Sequence, residues 1–187
     1  VYTFKNHPLT IINKNKAPKI LLDNKTKEEV LGNLGVDILC LKEFDEKLMK
    51  LSPEAFIENL VHEFNIKGIV VGFNYRFGYK NKGDLELLKT LSKKFDFELY
   101  IKEAYTIENE IVSSTRIREL ISLGEIKKAN EMLGREYVLR GEVVGGRRLG
   151  RTIGFPTANL KPLTNILIPK LVSAAITVPL KTNFSFL

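Results

Sequence analysis

Cysteine, histidine and long apolar runs are scarce in this sequence, and each scarcity excludes something. The single cysteine, Cys40, lies in the apolar run VDILCL. No internal disulfide can form, so a secreted, disulfide-stapled scaffold is not indicated, and the thiol reads as a buried structural one. No apolar run approaches the ~20 residues that cross a bilayer; the longest, LVSAAITVPL, is about half that length. The opening stretch VYTFKNHPL shows no basic-then-apolar signal pattern and no initiating Met, so the chain is expected to have begun earlier. A cytoplasmic protein without a membrane partner is the expectation. His7 and His62 are the only histidines. They offer no zinc spacing, and no helix gathers the basic residues that read a DNA groove, so nucleic acid is not an expected partner.

What the chain does have is a soluble, basic composition. With 187 residues, 44% hydrophobic and 27% charged, it has room for one large domain, or for one domain and part of another. The net charge of +7, from 29 basic against 22 acidic residues, suits anionic partners such as nucleotides and polyphosphates. A solvated lysine-rich surface, as in NKNKAPK, explains the same total.

Strand and helix signals alternate along the first two thirds. VYTF reads as the tail of a strand. TKEEVLGNLG reads as a helix with Thr26 as N-cap and Gly35 just past its end. VDILCL is a short strand. SPEAFIENLVHEFN is a helix capped by Ser52 with Pro53 at its first position, and Phe56, Leu60, Val61 and Phe64 share one face. KGIVVGF, the helix GDLELLKTLSKKF and the strand FELYI follow. This βαβαβ rhythm predicts an α/β fold, an open and mostly parallel sheet covered by helices. From Ser113 the character changes: SSTRIRELISLG and EIKKANEMLG are short helices ending at Gly124 and Gly134, and YVLRGEVV is strand-like. A boundary is expected near residues 124 to 136, with an all-β segment after it.

Four stretches carry possible chemistry. In open parallel sheets ligands bind beyond the carboxyl ends of strands, which is where FKNHP and VGFNYRFG fall. His7 either donates to a phosphate or orders the turn before Pro8. Asn74 offers donor and acceptor to a heteroaromatic edge, and Phe73, Tyr75 and Phe77 either stack on such a ring or pack the core. In SSTRIR, hydroxyls and free amides at a helix head make an anion site to which Arg116 and Arg118 add charge; an N-cap with surface arginines is the plainer reading. In GRRLGRTIGFPTANL, residues 146 to 160, Gly146, Gly150 and Gly154, with Gly141 and Gly145 just before them, thin the backbone enough to fold over a polyphosphate. Pro156 stiffens the turn, and Thr157 and Asn159 supply the oxygens that Mg²⁺ takes. A glycine-rich hairpin with exposed arginines accounts for the same residues.

Taken together and in this order, these motifs resemble a known family. GRRLGRTIGFPTANL is similar to the nucleotide-binding signature of riboflavin kinase. FKNHP, VGFNYRFG with its following KGD, and SSTRIRELISLGEIKKANEMLGR resemble the adenylyltransferase module of the bifunctional prokaryotic riboflavin kinase/FMN adenylyltransferases, the FAD synthetases. The match runs from residue 1 to about 170. The resemblance implies FAD biosynthesis: transfer of AMP from ATP to FMN, giving FAD and pyrophosphate, and phosphorylation of riboflavin by MgATP. It implies a Rossmann-like nucleotidyltransferase fold over residues 1–124, and a linker helix with an incomplete riboflavin kinase-like antiparallel β-barrel over residues 125–187. By it, Ser113, Ser114, Thr115 and Arg118 face the ATP phosphates of the first module. Asn74 and Phe77 contact the flavin, and His7 and Pro8 line the same cleft. In the second module Gly145, Gly150, Gly154, Pro156, Thr157 and Asn159 hold the nucleotide, with Thr157 and Asn159 on Mg²⁺.

Two departures from the family pattern shape the expectation. The first strand and the His-x-Gly-His loop that stabilises the reacting α-phosphate have no counterpart here. After LIPK the sequence LVSAAITVPLKTNFSFL no longer follows the family, as a frameshift or misassigned gene end would produce, and the glutamate base of the kinase is not found. The chain as written is therefore expected to be weakly active or inactive, with unidentified catalytic residues and marginal stability. A noncatalytic flavin- or nucleotide-binding fragment is the alternative.

Overall fold

The structure, a computed structural model, describes residues 1–145 and 159–170. Strand β1 (Tyr2–Phe4) is aromatic and β-branched, and pairs in parallel with β2 (Cys40–Lys42), Tyr2 opposite Cys40. Between them lie a single turn, α1 (Leu9–Ile12), and α2 (Asn24–Asn33). The head of α2 corrects the expected cap. Asp23, not Thr26, is the N-cap: its carboxylate accepts the Thr26 N–H at 2.9 Å and the Thr26 hydroxyl at 2.8 Å. Both residue types cap helices, but a carboxylate also complements the positive helix head, so the helix starts one turn earlier. The strand expected over VDILCL contracts to its end, because β1 offers only three residues to pair. Ile38 is exposed and Cys40 half-buried, not buried as expected.

Helices α3 (Glu46–Met49) and α4 (Pro53–Phe64) follow. As expected, Ser52 caps α4, its Oγ accepting from Ala55 N at 3.1 Å, with Pro53 in the first turn. The buried side of α4 centres on Phe56 and Ile57, while Phe64 lies at the exposed margin. Next come β3 (Gly68–Gly72), α5 (Leu85–Phe95), capped by Asp84, and β4 (Glu98–Lys102). β3 and β4 pair in parallel from Gly68↔Glu98 to Gly72↔Lys102. Their faces alternate, as strand geometry requires. Ile69, Val71, Leu99 and Ile101 join a core with Phe56, Ile57, Phe77, Leu88, Leu91 and Phe97. The cross-strand neighbours Val70 and Tyr100 stand on the opposite face, 64% and 52% exposed.

Helix α4 bridges the two strand pairs. Its Phe56 meets the Tyr2 ring edge-on at 6.2 Å and belongs to the same core as Val71. Among the described residues, however, β1–β2 and β3–β4 are separate two-stranded sheets. The single open sheet expected from the sequence is corrected to two parallel pairs under one helix. Side-chain packing on α4 joins them without a backbone ladder between them.

The short hairpin β5 (Thr106–Ile107) and β6 (Glu110–Ile111) turns through Glu108 and Asn109, both at positive φ, the conformation of a tight hairpin turn. Helices α6 (Ser114–Leu123) and α7 (Ile126–Leu133) then build a second core from Ile117, Leu120, Ile121 and Ala129, against which Leu21 and Leu167 pack. Gly124 and Gly134 end them in left-handed conformation, as read from the sequence. The strand expected over YVLRGEVV begins only at Gly141. Tyr137 N is taken by Asn130 Oδ1 at 2.9 Å and Arg140 reaches back to α2, so those residues are committed elsewhere. The resulting β7 (Gly141–Val144) pairs antiparallel with β8 (Asn159–Pro162). Of the incomplete antiparallel barrel expected over residues 125–187, one antiparallel strand pair is present among the described residues.

Two outcomes follow for stability. Asp23 is 7% exposed. Burial pushes its carboxyl up, but the Thr26 hydrogen bonds and the Arg140 charge outweigh this and leave it below the usual carboxylate range. Its contribution is complete above the unfolded carboxylate value of ~3.9 and is lost as pH falls through the lower folded value. Asp23→Ala should cost about 1–2 kcal/mol at neutral pH, and the deficit should shrink in acid; urea denaturation at several pH values measures this. Gly78, at φ +71, has no room for a side chain, since a Cβ would stand 2.6 Å from the Pro53 backbone. Gly78→Ala should destabilise by about 2–4 kcal/mol. Gly32→Ala, with open space around it in α2, should be neutral or stabilise by up to ~1 kcal/mol. Thermal denaturation of the pair checks the contrast.

Candidate functional site

Beyond the carboxyl end of β1 the chain turns through Lys5, Asn6 and His7. Asn6 locks this turn to the end of β2: its Oδ1 accepts from Phe44 N at 2.8 Å and its Nδ2 donates to Phe44 O at 2.9 Å. His7 Nδ1 accepts the Leu9 N–H at 3.1 Å, so the turn-ordering role weighed for it is present. That bond leaves the other ring nitrogen, Nε2, to carry the proton of the neutral imidazole. Burial, and then the Arg118 charge, push the His7 pKa below its ordinary value, which favours this neutral donor form at pH 7. Pro8 starts α1, with its carbonyl accepting from Ile11 and Ile12.

A cavity of about 240 Å³ opens at this turn, lined by Lys5, Asn6, His7 and Thr10 on one side and by Thr164 and Asn165 on the other. The cap residue Asp23 also reaches its wall. A second cavity, of about 290 Å³, lies beyond β3, between Phe73, Asn74 and Arg76 and the head of α5 at Asp84 and Glu86. Arg76 and Asp84 face each other there at 3.5 Å. The two cavities share no lining residue. Asn74 and His7, expected in one cleft, therefore line separate spaces. Phe77 is corrected more sharply. Its ring is 4% exposed, stacks on Tyr75 at 5.5 Å and packs beside Phe56, so it presents no face to a ligand. Phe73 is the exposed aromatic of this loop.

The head of α6 forms as the sequence suggested. Ser113 is the N-cap, its Oγ accepting from Arg116 N at 3.2 Å, and Ser114 and Thr115 lie exposed on the first turn. The two arginines divide. Arg116 Nε donates to Glu110 at 2.8 Å and its Nη1 to Glu119 at 2.9 Å. These bonds, first that to Glu110, hold the Arg116 charge well above its ordinary range and commit it to the helix surface. Arg118 instead donates from Nε to Lys19 O at 2.8 Å, between the cavity-lining residues Pro18 and Ile20, and its charge is felt at His7. Helix head and β1 turn are thus brought together through Arg118 and His7, far apart in sequence.

In the second half, Gly145 is exposed just after β7, and Asn159 opens β8 opposite Val144. Gly150, Gly154, Pro156 and Thr157 lie outside the described residues, as does the rest of the Gly/Arg loop. Three further groups were not legible from local pattern. Thr164 and Asn165 have no local pattern to mark them. Arg140 reaches Thr26 Oγ1 at 2.9 Å, Asp23 at 3.9 Å, and Glu29. No signal short of a contact between distant segments could have found them.

A family profile for FAD synthetase matches residues 1–116, and one for riboflavin kinase matches residues 133–180. The bifunctional riboflavin kinase/FMN adenylyltransferase of Listeria monocytogenes is 39% identical over 174 residues, covering 91% of this chain and 54% of that protein. Its namesakes in Buchnera aphidicola from Schizaphis graminum and in Escherichia coli K12 are each 34% identical, over 87% and 90% of this chain and 53% and 54% of theirs. The chain spans about half the length of the curated relatives it matches. A crystal structure of a macrolide-efflux protein from Streptococcus pneumoniae aligns at TM-score 0.77 and 35% identity, over 90% of this chain and 55% of that one. Among the described residues no helix is long and apolar enough to cross a membrane. With the profile covering well over half of it, the chain belongs to the FAD synthetase family.

Proposed function

We propose that this chain serves FAD biosynthesis, binding ATP and FMN for adenylyl transfer through residues 1–124 and belonging, through residues 125–187, to the riboflavin-phosphorylating part of the same enzyme. The observation that carries the reading is the cavity at the turn after β1, lined by Lys5 and His7, with Arg118 from the head of α6 tied to Lys19 between the lining residues Pro18 and Ile20. In this reading an oxygen of the FMN phosphate attacks the α-phosphorus of ATP, the bond to the β-phosphate bridge breaks, and pyrophosphate leaves. The head of α6, with Ser113, Ser114 and Thr115, receives the ATP phosphates on its free amides and hydroxyls. Arg118 supplies the nearby positive charge, and neutral His7 donates from Nε2. Positioning and fixed charge provide most of the acceleration in such transfers.

Asn74, with Phe73 beside it, offers the heterocycle-binding edge in the neighbouring cavity. For the kinase reaction Mg²⁺ would take oxygens of Thr157 and Asn159, and the nucleotide would lie against Gly145, Gly150, Gly154 and Pro156. Asn159 fits as an exposed oxygen donor at the start of β8. Mg²⁺ bound there would offset phosphate charge and polarise the transferring group. The partners are the small molecules ATP, riboflavin and FMN.

Titration calorimetry of the purified chain with ATP and with FMN, alongside FAD formation from both with Mg²⁺, tests the reading. Affinity for both is expected; no affinity for either overturns the reading. The two arginines sharpen the test. Arg118→Ala should weaken ATP binding ~10–100-fold, as loss of a charge-assisted phosphate contact does. Arg116→Ala, whose charge is spent on Glu110 and Glu119, should change it less than about twofold.

A further inference from the structure

The cavity beside His7 is built from two distant parts of the chain. Thr164 and Asn165 line it from beyond β8, inside the stretch matched by the riboflavin kinase profile, while the opposite wall belongs to the stretch matched by FAD synthetase. The 164–167 segment is held by main-chain atoms. Ile20 N donates to Asn165 O at 3.1 Å and Leu167 N donates to Ile20 O at 2.9 Å, a parallel bridge with Ile166 2% exposed at its centre. Tyr137 Oη donates to Leu167 O at 2.6 Å, and Arg118 grips Lys19 O from the other side. A residue between such anchors keeps a fixed position relative to His7.

The chemistry of the cavity is also specific. Lys5 and the nearby Arg118 bring positive charge, and the Asp23 carboxylate is already engaged by Thr26 and Arg140. Pro18 and Ile20 add apolar surface to the wall, and Lys5, His7, Thr10, Thr164 and Asn165 set one cation and several neutral-polar groups around it, a mixed lining that suits a hydroxylated carbon chain ending in a phosphate. At about 240 Å³ the cavity is smaller than the ~300–1,000 Å³ that encloses a whole drug-sized ligand, so it takes one end of one.

We propose that Thr164 and Asn165, contributed by the kinase-like part of the chain, complete the site for the ribityl phosphate end of FMN beside Lys5 and His7, and thereby set the preference of the adenylyl acceptor site for FMN over riboflavin. The inference rests on the reading of this cavity as a flavin nucleotide site. The amide of Asn165 and the hydroxyl of Thr164 each present donor and acceptor, as ribityl hydroxyls and a phosphate monoester require. It follows that residues 1–124 alone lack part of their own acceptor site.

The test is calorimetric binding of FMN, riboflavin and ATP to the full chain and to Asn165→Ala, Asn165→Asp and Thr164→Val. The bridge at Ile20 uses only backbone atoms, so these substitutions leave it in place; a circular dichroism spectrum matching the unsubstituted chain verifies this for each variant. The expected result is a ~5–30-fold loss of FMN affinity in Asn165→Ala, a larger loss in Asn165→Asp as its carboxylate meets the phosphate, and little change for ATP. Riboflavin, lacking the phosphate, should lose less than FMN, so the FMN-to-riboflavin preference falls. If the unsubstituted chain binds FMN and the folded variants bind it equally well, the inference is overturned while the reading of the cavity stands. If the unsubstituted chain binds no flavin, both fall.

Discussion

The Asp23 carboxylate is the point on which the two parts of this chain turn. It is nearly buried, and burial alone would raise its pKa and favour neutralisation. Two hydrogen bonds and a nearby charge prevent this: the Thr26 amide and hydroxyl donate to it, and the Arg140 guanidinium stands 3.9 Å away. The same atoms start α2, form part of the wall of the His7 cavity, and tie the approach to β7 back to the first helix. Arg140 is a shared partner, since it also bonds Thr26 and Glu29. A single ion pair at a surface is worth little; here the value lies in satisfying a buried charge that would otherwise be costly.

Local features were legible because local chemistry decides them. Ser52 and Pro53 at the head of α4, Ser113 at the head of α6, and the left-handed glycines at 35, 124 and 134 are all set within a few residues. The cap of α2 is ambiguous in the sequence because DNKT holds three capping types, Asp23, Asn24 and Thr26, and only the helix's true start distinguishes them. The failures of a different kind concern long-range placement. Strand periodicity does not say whether β1 and β3 hydrogen-bond to one another, and they do not. Nor does it say which aromatics of VGFNYRFG serve the core, and Phe77 does.

The candidate site shows the same division. His7 and Arg118 were each visible as residue types in plausible positions, but their relation was not, because it depends on Arg118 reaching Lys19 from almost a hundred residues away. Thr164 and Asn165 carry no motif at all. They matter only because Ile20 and Ile166 form a parallel bridge across almost the whole chain. The comparisons with FAD synthetases and riboflavin kinases fall on either side of that bridge, which is why each profile by itself describes half of the cavity.

The bridge at Ile20 has a kinetic side as well. Contacts between residues so far apart close a very long loop, and the entropy of that closure must be met before the contact returns anything. The core under α4 and the α6–α7 pair rest on nearer neighbours and can assemble beforehand. The seam between residues 20 and 166 therefore forms last and parts first, a low-energy opening in the sense of subglobal unfolding. Native-state amide exchange would find Leu167 losing its proton well ahead of the centre of α4.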